Sequence, residues 1–164
     1  MINEESVRKL TEMKMGAMAD AYRDQMSNTD FLDMPFEDRF NLLVDQEYAR
    51  RKSNKLNRLI KQAKFSDPNA AVEDIEYHAD RHLDKQLLLE LASGNYIQNH
   101  LNIIIMGASG NGKTWLSNAL GVQACRQHHK VKYVRLPELL DEFMVAKNEA
   151  DGSFRKLLNR YKRV

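Results

Sequence analysis

One stretch limits what this chain can fold into more than any other. Gly107-Ala108-Ser109-Gly110-Asn111-Gly112-Lys113-Thr114 fits the pattern G-x-x-x-x-G-K-S/T without a mismatch. A phosphate chain needs many donors at close range, and glycines let a backbone curl until successive amides face inward. Such a loop works when it opens a helix, because the free amides and the dipole of the first turn favour an anion. Lys113 is placed to reach outer phosphates, and Thr114 to offer its hydroxyl to Mg²⁺.

The flanks suit that role. Leu101-Asn102-Ile103-Ile104-Ile105-Met106 is short, apolar and rich in β-branched residues, which predicts a buried parallel strand. Residues 113–127 read as a helix and Val131-Lys132-Tyr133-Val134 as a second strand. Two further helical stretches follow, at about 137–147 and 153–161. A nucleoside triphosphatase also needs an acid at a second strand end, and the one similar string is Leu139-Leu140-Asp141-Glu142. Leu136, Leu139, Leu140, Phe143 and Met144 recur there at helical spacing, so that string reads as a helix. The fold class expected is therefore α/β, a helical N-terminal domain followed by the first part of a parallel-sheet nucleotide-binding domain, apparently truncated. Residues 1–66 form the helical domain, 67–100 an acidic connector and helix, and 101–164 the partial nucleotide-binding domain.

Upstream the chain is poor in glycine and helical in period. Asn3 is placed to cap a helix carrying Val7, Leu10, Met13, Ala17, Ala21 and Tyr22. Asn28, Asp30, Asp33 and Pro35 supply turn chemistry, and a second helix runs from about Phe36 to Ala63. A third covers about Leu83–Ala92, with Gly94 placed to end it. The stretch Arg50–Lys64 holds seven of the 25 bases and no acid, so the other residues carry 18 bases against all 23 acids. That asymmetry marks Arg50, Arg51, Lys52, Lys55, Arg58 and Lys61 as candidate contacts for double-stranded DNA, against a solvated or subunit-packing helix face.

Other features read as structural. His78 and His82 are four apart but lack the remaining ligands of a metal site. The lone Cys125 forms no internal disulfide and is expected in the core. No apolar run approaches a membrane span, and the start MINEESVRKL lacks the apolar core of a secretion signal, so a cytoplasmic protein is expected.

Several stretches together carry a family likeness. They are Leu10–Tyr22 with Lys14-Met15-Gly16-Ala17-Met18-Ala19, and Phe36-Glu37-Asp38-Arg39-Phe40 with Leu42-Leu43-Val44. To these add the basic helix Glu47–Phe65, Leu91-Ala92-Ser93-Gly94-Asn95-Tyr96-Ile97, and the 107–114 loop with Ala119-Leu120-Gly121. As a set they resemble the IstB-like ATP-binding proteins, helper ATPases of insertion-sequence transposition in the AAA+ group and relatives of the DnaC-type helicase loaders. The resemblance implies ATP and Mg²⁺ as cofactors, with ATP held by Gly107–Thr114 and the adjoining Trp115. It also implies assembly on DNA with a transposase, and a homo-oligomer with ATP between subunits. It places Tyr96 near the adenine. Trp115 stands where the family usually has His, and the family's acidic strand, sensor and arginine finger would lie beyond Val164. Two alternatives stay open: a helicase loader of DNA replication, and a hydrolysis-dead module that binds a partner.

Overall fold

The computed structural model describes residues 2–78, 83–149 and 152–163. The chain divides into two compact units, Met1–Lys55 and Leu56–Val164.

The first unit is helical. Helix α1 spans Ile2–Glu12 and α2 spans Gly16–Ser27. The sequence pattern reads as one helix here, but the chain breaks between them. Lys14 takes φ 60°, Lys14 N donates to Thr11 O (2.9 Å) and Met15 N to Leu10 O (2.8 Å). That is the paired bonding of a Schellman stop, with lysine where glycine is usual. Asn3 falls within α1, and its side chain lies outside the described residues. Helix α2 has no local side-chain cap. Instead Glu47, far along the chain and buried, accepts from Ala17 N (3.0 Å) and Met18 N (3.2 Å). The Arg51 guanidinium, at 2.6 Å, is the largest influence holding that carboxyl below the ordinary carboxylate range. The two amides act the same way, and burial opposes them. After the expected turn, α3 spans Phe36–Ala63 and carries the chain from the first unit into the second.

The second unit is built around α6, Lys113–Arg126. Ala119 and Leu120 pack with Ala70, Val72, Ile75 and Leu88, and on another face Cys125 packs with Leu59 and Ala63. A helix covered on several faces buries small residues, and Ala119, Val122, Ala124 and Cys125 are all buried. Helix α4, Lys85–Ala92, begins at Asp84, whose carboxylate accepts from Gln86 N (2.9 Å) and Leu87 N (3.1 Å). It ends before Gly94 as expected, and the one-turn α5 covers Asn95–Gln98. Gln127 donates to Ala92 O and Ser93 O and so ties this corner to the end of α6. Helices α7, Leu136–Asn148, and α8, Ser153–Tyr161, form a hairpin in which Phe143 meets Phe154 and Tyr161 at 5.8 and 6.0 Å.

The α/β expectation is overturned: among the described residues there is no strand and no parallel sheet. Residues 101–106 and 131–134 are the two expected strands, and neither has a ladder partner among the described residues. Among the described residues Leu101–Met106 forms one bond between backbones, from Leu101 N to Tyr96 O, and in 131–134 Tyr133 N donates to Ala63 O at the end of α3. A strand exists only through such pairing. Exposure nonetheless alternates along 103–106: Ile103 and Ile105 are half-buried, while Ile104 and Met106 are 81% and 86% exposed. One face is covered and one is bare, where burial of both was expected.

Candidate functional site

The 107–114 loop sits where the sequence places it, at the N-terminus of α6. Gly110 (φ 82°) and Gly112 (φ 76°) hold the left-handed conformation that other residues adopt at a cost of about 1 kcal/mol or more. Gly112 is the residue before the helix, and no side chain caps the first turn. The opening amides of α6 therefore face out of the helix without a protein partner of that kind. A cavity of about 650 Å³ opens against the loop, bordered by Gly107, Gly110, Asn111 and Lys113 on one side and by Ile75 and Trp115 on the other. The apolar wall belongs to the core, where Trp115 packs half-buried against the cluster around Ala119.

Lys113 Nζ donates to Ala108 O at 2.6 Å, so the ammonium is drawn over the loop. The Thr114 side chain is exposed, and no hydrogen bond occupies its hydroxyl among the described residues. These groups fit a polyphosphate: glycine corners, helix-end amides, one cation and one free hydroxyl. For Mg²⁺ the chain offers Thr114, while among the described residues no group of three or more acidic, His or Cys side chains could hold a metal. Asp141 and Glu142 lie on α7 as the helical spacing predicts, and Glu142 accepts from Arg160 (2.7 Å) and Tyr161 (3.1 Å).

The remaining candidates scatter. Arg51 is engaged by Glu47 and by Lys14 O, and Arg50 lies 3.6 Å from Asp20. Lys52 and Lys55 in the first unit, and Arg58 and Lys61 in the second, are exposed and lack an ion pair among the described residues. Tyr96 is half-buried on α5, where burial raises its phenol, and it is not among the described residues that border the loop cavity. His78 contacts Glu76, and His82 lies outside the described residues. Cys125 is fully buried, and burial pushes its thiol up. Sequence reasoning missed Glu47 as a cap for α2 and Gln127 as a tie to Ala92, since those backbone partners lie 29 or more residues away and leave no local signal. It also missed Ile75 as a wall of the cavity.

A glycine-cornered loop opening a helix, with a lysine laid across it, defines a class of protein built to hold an anion at a helix end. The chain belongs to the family described as IstB-like ATP binding protein, which matches residues 8–164. A Pseudomonas fluorescens protein named for ATP binding in insertion sequence IS1162 is 37% identical over all 164 residues. Two Sinorhizobium fredii proteins similarly named, y4pL and y4uH, are 34% and 35% identical over 96% and 90% of the chain. The chain covers 70%, 63% and 59% of the lengths of those three relatives. Among the described residues no helix is long and apolar enough to cross a membrane.

Proposed function

We propose that this chain captures ATP·Mg²⁺ through Gly107–Thr114 and Trp115, within a transposition helper that assembles on DNA with a transposase. The observation that carries the reading is the loop itself: two glycines in the left-handed conformation, the uncapped start of α6, and Lys113 drawn across the opening. Backbone amides of the loop and of the first turn take the phosphate oxygens. Lys113 exchanges its bond to Ala108 for one to an outer phosphate, and Thr114 holds Mg²⁺ through its hydroxyl. The metal, when bound, neutralises phosphate charge. Trp115 fixes the first turn of α6 against the core, so the donors stay aimed.

The family's setting in insertion sequences supports transposition over replication as the context. On the basic stretch, the DNA-facing bases are Lys52, Lys55, Arg58 and Lys61, which no carboxylate engages among the described residues. Homo-oligomerisation and work in the cytoplasm belong to the same reading. The test is calorimetric titration of ATP·Mg²⁺ into the chain and into Lys113→Ala. Wild type binds, and the variant loses binding by a hundredfold or more while its circular dichroism is unchanged. An Ala variant that still binds ATP like wild type overturns the assignment.

A further inference from the structure

We propose that Lys64, Lys130, Lys132 and Arg160 form a second anion pocket in this chain, one that takes the phosphates of a nucleic-acid backbone. The bases come from the end of α3, the segment after α6, and α8, and they border one cavity of about 370 Å³ within the second unit. Among the described residues no acid lines it; its floor is Leu59, Val131 and Tyr161. The floor is anchored. Tyr133 N donates to Ala63 O at 2.8 Å, which ties the 131–133 segment to α3, and Val131 and Phe65 pack on the buried Leu59, Ala63 and Cys125.

Bases gathered on one cavity repel one another unless an anion joins them. Arg160 has a partner in Glu142, at 2.7 Å. Lys64, Lys130 and Lys132 have none among the described residues. A helix C-terminus attracts bases by about 0.3–1 kcal/mol, and α3 ends at Ala63. Yet none of the three ammonium groups hydrogen-bonds a terminal carbonyl among the described residues, and Ala63 O is already taken by Tyr133. The rim of long cationic side chains also differs from the 107–114 loop, which offers backbone amides at close range. Mobile ammonium groups on a rim suit successive phosphates of a polymer, and Arg58 and Lys61 of the same unit extend the positive surface along α3. The inference rests on the DNA reading above for its choice of polymer.

The test measures fluorescence anisotropy of an unrelated 30-base-pair duplex against the full chain across a salt series. Lys64→Gln, Lys130→Gln and Lys132→Gln, combined, should weaken binding at least tenfold. The slope of log affinity against log salt should flatten by about 2–3, at roughly 0.9 per phosphate contact. The matching triple Lys→Arg variant should bind like wild type. If the triple Gln variant melts early, Lys130→Gln alone should still flatten the slope by about 0.9. Wild-type affinity and slope in the Gln variants overturn the proposal. So does inorganic phosphate that binds wild type but not the Gln variant while DNA affinity is equal in both, which assigns the pocket to small anions. Lys52→Gln with Lys55→Gln runs in parallel: loss there with no loss at the pocket keeps the DNA reading and rejects this site, and wild type that ignores DNA rejects both.

Discussion

Among the described residues four other than glycine take positive φ, and each stands just past a helix end: Lys14 after α1, Lys64 after α3, His100 after α5 and His128 after α6. At His100 and His128 the bonding repeats that at Lys14, with an amide reaching back three residues and the next reaching back five. A glycine is relaxed in this conformation, and the side chain present is not. Lys14→Gly, which keeps the backbone oxygen that Arg51 uses, should therefore raise stability by about 1 kcal/mol in urea unfolding. Glu47 carries a second prediction at this scale. Its folded-state pKa is depressed, so its contribution is complete above the unfolded value near 4.3 and fades as pH falls through the folded value. Unfolding followed by circular dichroism from pH 7 to 3 should show Glu47→Gln less stable at neutral pH, with the difference from wild type shrinking below about pH 4.3. A constant difference would mean the charge is idle. These residues also explain stretches that carry the family likeness. Lys14–Ala19 is a helix break capped from α3, and Leu91–Ile97 is a corner held by Gln127.

Helices were legible because their periods are local. The stretches read at 36–63, 83–92, 113–127, 137–147 and 153–161 match α3, α4, α6, α7 and α8 within about two residues. The break at Lys14 was not legible, since lysine gives no stop signal and the cap arrives from α3. The strands were misread for a related reason. β-Branched composition marks an extended segment, but a strand needs a second backbone, and composition does not reveal whether one is present. The place of the 107–114 loop at the start of α6 was legible because its residues are consecutive, whereas the Lys64, Lys130, Lys132 and Arg160 cavity is assembled from three stretches. Packing between elements makes its own prediction at Gly121. A methyl group there would stand 2.6 Å from Phe65 Cε1 and 3.0 Å from Cζ, so α6 could not lie as close to the Phe65 ring. Gly121→Ala should lower stability by about 1–3 kcal/mol in chemical unfolding, and Phe65→Leu in the same chain should recover part of it.

At the scale of the molecule, apolar surface is unevenly spent. The second unit buries small residues around α6 and leaves Leu101, Ile104 and Met106 bare along one extended segment. An exposed apolar face with unpaired backbone groups invites association. Sedimentation at rising concentration should show self-association of the chain, and Leu101→Lys with Ile104→Thr, neither of which lines the loop cavity, should reduce it without disturbing ATP binding. Equal association in that variant would place the contact elsewhere.

The bond from Lys113 to Ala108 has a kinetic and entropic sequel. A lysine that waits free in water gives up much of its rotamer freedom when it grips a ligand, on the order of 1–2 kcal/mol. Here Lys113 is already bonded to the loop's own carbonyl, so in the proposed capture of ATP a phosphate would exchange one short contact for another. The proposed capture of ATP then carries a preference for anions, since a neutral ligand offers the ammonium no better acceptor than Ala108 does.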